Sequence, residues 1–173
     1  MNKLVLIIVV IILLGVSGAF IINQQPGKSQ QVQQQNISTD FVTTSQSQTV
    51  DKQASFAIFT NNTFRVFTAS MYHNLSSDVY IESSNPNVIH IKKAGVTWND
   101  FFSTLPFKLT NDCLTTGTKE TFCTGNKGVL KFYLNGEKKE KVLGEEIQNR
   151  DKLLVTYGAE SDVDIKRQIE NIP

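Results

Sequence analysis

Residues 88–106 read VIHIKKAGVTWNDFFSTLP, and the fold depends on how this stretch divides. Val88–Lys92 is short, β-branched and alternating, the pattern of a half-buried strand. Thr97 can cap a helix, and Asp100 stands where the acidic partner of a capping box belongs, with Asp in place of Glu. Trp98, Phe101, Phe102 and Leu105 then fall at i, i+3, i+4 and i+7, on a single apolar face. Pro106 disfavours helical geometry at Leu105 and ends the helix. The segment is therefore a strand, a glycine turn and one short helix whose aromatics belong to a core, not to a ligand platform.

Further strands are expected on both sides of it. Phe56–Thr60, Phe64–Phe67, Val79–Glu82, Leu130–Leu134 and Leu153–Tyr157 are each short and β-branched or aromatic. Asn85-Pro86 reads as a turn. Asn135-Gly136 directly follows an alternating strand and is the strongest turn signal in the chain. Asn149-Arg150-Asp151 turns into the last strand. Residues 54–158 thus make one domain of roughly 105 residues, enough for a single core. In the tail, residues 159–173, Ser161 and Asp164 have capping spacing. Val163, Ile165, Ile169 and Ile172 lie roughly on one side of a short amphipathic helix, free to dock or to fray.

The front of the chain has a different character. Leu4 to Ile22 contains 19 residues without a charge, about the 20 that span a bilayer's hydrocarbon core. Lys3 precedes the stretch, so the positive-inside tendency keeps the N-terminus in the cytoplasm and sends the rest outward. The rival reading is a cleaved signal peptide with small residues at Val16-Ser17-Gly18. Apolar residues continuing through Ile22 favour an uncleaved anchor over residues 1–22. Residues 23–53 are rich in Gln, Ser and Thr, a composition that cannot offset the entropy of ordering. They are expected to form a flexible linker reaching about 30 Å from the membrane.

An extracytoplasmic address agrees with the cysteines. There are two, Cys113 and Cys123, local and even in number, which in an oxidising compartment reads as a disulfide. "FKLTNDCLTTGTKETFC" has the look of a small hairpin closed by them, and it lacks the Cys-x-x-Cys spacing of redox sites. Sequons at Asn36, Asn61 and Asn74 permit glycosylation, although a chain so rich in Asn, Ser and Thr makes such triplets by chance.

The order of strands, one helix, then strands resembles the β-grasp, ubiquitin-like layout. Asn135-Gly136 and the closing "DKLLV" bring it closest to the small sulfur carriers. Arg150-Asp151 departs from their Gly-Asp turn, and the C-terminal Gly-Gly on which sulfur carriage depends is missing from Asn171-Ile172-Pro173. Only the fold carries over. The longer string "VIHIKKAGVTWNDFFSTLPFKLTNDCLTTGTKETFC…LKFYLNGE…DKLLVTYG" is similar to a family of single-pass, membrane-anchored envelope proteins of archaea and small-genome bacteria. Members with more histidine around the "VIHI" strand imply a transition-metal site, copper or zinc. Its counterparts here are His90, followed by Lys92, and His73 upstream. Two imidazoles need a third or fourth ligand, for which Asp78 or Glu82 is available.

Other chemistry is thinly represented. No Gly-x-Ser-x-Gly elbow or phosphate-cradling glycine loop occurs, and Glu145, Glu146 and Asp151 read as solvated turn residues. The Lys138–Lys141 run is a charged hairpin tip. Seventeen Lys and Arg against 16 Asp and Glu leave a net charge of +1, which gives no reason to expect a nucleic-acid partner. The expectation is an α+β protein, a β-grasp-like mixed sheet packed on one helix behind a transmembrane anchor. It would be a cell-membrane, single-pass protein whose extracytoplasmic domain binds a protein or envelope partner without catalysing a reaction. The alternative is an extracytoplasmic metal-binding protein using His73 and His90.

Overall fold

The computed structural model describes residues 48–173. The expected anchor, the linker up to residue 47 and the Asn36 sequon lie outside the described residues. Among the described residues no helix is long and apolar enough to cross a membrane.

The order begins with strand β1 (Thr49–Thr60), β2 (Thr63–Phe64), β3 (Val79–Glu82) and β4 (Asn85–Lys93). Helix α1 (Trp98–Thr104) follows, then β5 (Lys108–Leu109), β6 (Cys113–Thr115) and β7 (Thr121–Cys123). The chain closes with β8 (Val129–Leu134), β9 (Glu137–Lys139), β10 (Lys152–Gly158) and helix α2 (Asp162–Glu170). Seven strands form one mixed sheet in the order β3-β4-β1-β10-β8-β9, with β2 paired to the far end of β1. β1 and β10 run parallel at its centre, and the other pairs are antiparallel. β5, β6 and β7 form a second, small antiparallel sheet.

Burial explains why β1 and β10 occupy the centre. Their runs "FAIF" and "LLV" are apolar without alternation, as strands covered on both faces must be. Phe56, Ile58, Leu153 and Val155 face α1, while Ala57, Phe59 and Leu154 face α2. The first layer is aromatic. The Phe56 ring lies 5.1 Å from Phe67, 5.2 Å from Phe101 and 5.8 Å from Phe102, distances typical of favourable edge and tilted pairs. Trp98, Phe101, Phe102 and Leu105 are all buried, so the expected core face is present. At the start of α1 the Thr97 side chain accepts from the Asp100 N–H, and the Asp100 carboxylate accepts from the Thr97 N–H, completing the capping box. Seven residues are too few to hold a helix unaided, and the Val142–Ile147 loop clamps its start. Trp98 N donates to the Glu145 carbonyl (3.1 Å) and Ile147 N to the Val96 carbonyl (2.9 Å).

Several expectations need correction. Thr49–Gln53, expected to belong to the linker, are the first residues of β1, because Thr49–Ser55 pairs with β4. The turn preceding β4 is Ser83-Ser84, and Asn85-Pro86 already belongs to the strand. Of the expected strand Phe64–Phe67 only Phe64 pairs, together with Thr63, as β2. The expected C-terminal helix forms as α2 and docks, burying Ile165 and, just past its end, Ile172, but Val163, read as part of its apolar side, points to solvent at 71% exposure. Asp151 is buried rather than solvated. Its carboxylate accepts from Asn135 Nδ2 (2.9 Å) and Gln148 N (2.8 Å), pinning the two turns that flank β10.

Candidate functional site

The β1–β2 hairpin turns on Asn61 and Asn62, both at positive φ (48° and 62°), a conformation asparagine tolerates better than most residues. Returning along β1, Arg65 N donates to the Ile58 carbonyl (2.8 Å). Backbone groups alternate sides along an extended chain, so the N–H and C=O of Phe64, between the bonded positions Thr63 and Arg65, face away from β1. This is an open sheet edge. Its side chains are also unusually exposed: Phe64 at 39%, Val66 at 63% and nearby Met71 at 54%.

Behind that edge lies an apolar groove of about 460 Å³. Phe67, Tyr72 and Phe107 line its floor, and the Thr116–Thr118 turn of the small sheet forms the opposite wall. That wall is stapled. Cys113 and Cys123 are directly opposite one another across β6 and β7 and are joined by a disulfide. Arg65 ties the walls together: Nε donates to Thr60 Oγ1 (2.6 Å), and the guanidinium lies 3.7 Å from Glu120 and 5.2 Å from the centre of the Phe122 ring.

The two histidines have separate environments. His73 Nε2–H donates to the Phe67 carbonyl (2.8 Å), folding the segment that lines the groove. His90 stacks on Tyr80 across β3 and β4, with ring centres 5.2 Å apart, and Nε2 lies 3.9 Å from Glu82. Asp78 is engaged by Lys93 (3.1 Å). Among the described residues no three His, Cys, Asp or Glu side chains group as a metal ion requires. Asn61 and Asn74 are exposed, Asn61 at the hairpin tip. Sequence reasoning passed over Asn61-Asn62 as a turn and Arg65 as a tie. The paired asparagines between two apolar runs were the available signal for the first.

Ion pairs elsewhere hold the domain's periphery. Glu146 accepts from Lys52 Nζ (3.0 Å) and Gly95 N (3.2 Å), and these bonds with the Lys52 charge hold its carboxyl below the usual range. Lys92 donates to Asp51 (2.6 Å), which lowers the carboxyl and raises the ammonium.

The chain matches no family model, no curated protein and no solved structure.

Proposed function

We propose that this chain is a membrane-tethered, extracytoplasmic binding module of the β-grasp kind, non-enzymatic, which takes an extended polypeptide along the Phe64–Val66 edge. The fold reading is supported by the strand order β4-β1-β10-β8-β9. Within it are an antiparallel β1–β4 pair, a central parallel pair and one helix between β4 and β8 packed on the sheet. The tether is supported by the charge-free run Leu4–Ile22, and the oxidising address by the Cys113–Cys123 bond. Kinship with the membrane-anchored envelope family rests on the quoted motifs.

One observation carries the binding reading: the outward-facing backbone groups of Phe64, followed by the exposed Val66, adjoin an apolar groove. Strand addition draws affinity from such main-chain groups and specificity from pockets for alternate side chains. Of the sheet's two end strands, β9 carries Lys138 and Lys139, the kind of charged edge that discourages pairing, and β3 has its Ile81 carbonyl taken by Asn74 N (3.0 Å). The test is a displayed library of extended peptides selected on the full chain in neutral detergent. Selected peptides should slow hydrogen exchange at the Phe64 and Val66 amides and lose binding to a Phe64→Asp variant. Peptides that bind without protecting those amides would remove the edge reading. Protease shaving of intact cells tests the address, and a C-terminal domain resistant until lysis would refute it.

A further inference from the structure

Along α2 and just past its end, Ile165, Gln168, Ile169 and Ile172 fall at i, i+3, i+4 and i+7, the stripe that faces the sheet. Ile165 and Ile172 are buried, and Ile169 packs against the same cluster. Gln168 departs from this stripe in chemistry but not in position, for it is 1% exposed. An amide placed there gives up water at two N–H donors and a carbonyl. Only Nε2 finds a partner, donating to Asn62 Oδ1 at 3.0 Å, and Oε1 has none among the described residues. An apolar side chain of similar size would fill the position without that desolvation cost. Packing alone therefore does not account for a glutamine here.

The contact falls where the sheet has least support. Asn62 is exposed and forms the hairpin turn with Asn61, both at positive φ. β2 has two residues, registered as Thr60↔Thr63 and Phe59↔Phe64, and it pairs with β1 alone. Such a hairpin is marginal by itself. The other side-chain ties of the C-terminal segment run to β8 and β10. Glu160 accepts from Lys131 (2.7 Å) and Thr156 (3.1 Å), and Lys152 Nζ donates to the Ile172 carbonyl (3.1 Å). Among the described residues Gln168 alone joins this segment to the hairpin by a hydrogen bond. Beside it Phe59, in one apolar cluster with Ile165 and Ile172, packs on the Phe64 ring at 5.2 Å.

We propose that Gln168 is a positioning residue for the Phe64 edge: through Asn62 it fixes the Asn61-Asn62 turn, and so the register in which the Phe64 backbone meets an incoming strand. This role rests on the strand-addition reading, and it makes the affinity of the edge depend on α2, which packs on the sheet face away from the groove.

Hydrogen exchange on the full chain in neutral detergent reads the hold on the turn, and affinity for an edge-selected peptide reads its consequence. Gln168→Met nearly conserves volume and removes the unpartnered oxygen. It should leave the urea midpoint level or raised. The Arg65 amide, which donates to the Ile58 carbonyl across the hairpin, should nevertheless exchange about three- to tenfold faster. The Val155 amide at the sheet centre should not, and peptide affinity should weaken by a factor like that at Arg65. Asn62→Gly, which suits the positive φ but lacks the acceptor, should do the same, whereas Asn62→Asp, which keeps the acceptor, should behave as wild type. Gln168→Met/Asn62→Gly should lose no more than either single variant. Unchanged Arg65 exchange, additive losses or unaltered affinity would overturn the proposal. So would a lower midpoint with Val155 accelerating in step, which signals a structural role only. If no peptide protects Phe64, the strand-addition reading fails and the positioning role with it, while the Arg65 rate in the free chain still decides whether Gln168 holds the turn.

Discussion

Glu146 was legible only as one acid in a turn, yet it joins the start of β1 to the entrance of α1. Its carboxyl is depressed below the ordinary glutamate value of 4.5, and those of Asp51 and Asp164 below the aspartate value of 3.8. A depressed carboxyl contributes stability that is complete above the unfolded value and disappears as pH falls through the folded one. Unfolding midpoints in urea should therefore be level above about pH 5 and fall below it. Glu146→Gln should flatten part of that fall, and an unchanged acid limb would show the contacts to be inert. Lys92 has the opposite sign: its raised value supports the fold below 10.5 and ceases to do so as pH rises past the folded value. Gly158 supplies a steric prediction. At φ 149° a Cβ would come within 2.6 Å of Glu160 Oε1, displacing the carboxylate that accepts from Lys131 and Thr156. Gly158→Ala should cost about 1–3 kcal/mol, read by equilibrium denaturation.

At the scale of elements, the helix α1 was readable to the residue, because capping, spacing and a stopping proline are local signals. The disulfide hairpin was readable for the same reason. Closing a loop of that separation (10 residues) is worth about 2.5–3 kcal/mol by the chain-entropy estimate. Cys113→Ser/Cys123→Ser should lose about that much in chemical denaturation and loosen the groove wall at Thr116–Thr118. Helix α2 was visible as a capped amphipathic segment, but its docking was not. Val163, which fits the apolar side by spacing, is exposed because the sheet surface under α2 ends at Ala57, Phe59 and Leu154. Truncation after Glu160 should uncover those three residues and raise binding of an environment-sensitive dye, with aggregation on gel filtration. A monomeric, dye-silent truncation would mean that α2 is dispensable to the sheet.

For the whole of residues 49–173, one apolar cluster runs from the sheet through α1 into the small sheet, taking in Leu109, Leu114 and Phe122. A shared core implies one cooperative transition. Fluorescence of Trp98, the single tryptophan and fully buried, should coincide with far-ultraviolet dichroism across a urea titration. Two separated midpoints would mean that the small sheet melts independently. The candidate site arises at this scale: Phe64 and Val66 come from one end of the fold and Thr116–Thr118 from the small sheet.

What residues 48–173 disclosed unaided was what neighbours in the chain decide: strand periodicity, the capped helix, the Asn135-Gly136 turn and the nearby cysteine pair. The parallel pairing of β1 with β10, the burial of Asp151, the lie of α2 and the groove behind Phe64 belong to the tertiary structure alone. The physical reason is distance along the chain. Hydrogen bonding and periodicity act over a few residues, whereas a groove or an uncovered edge depends on which remote surfaces pack together and where one strand stops before its neighbour.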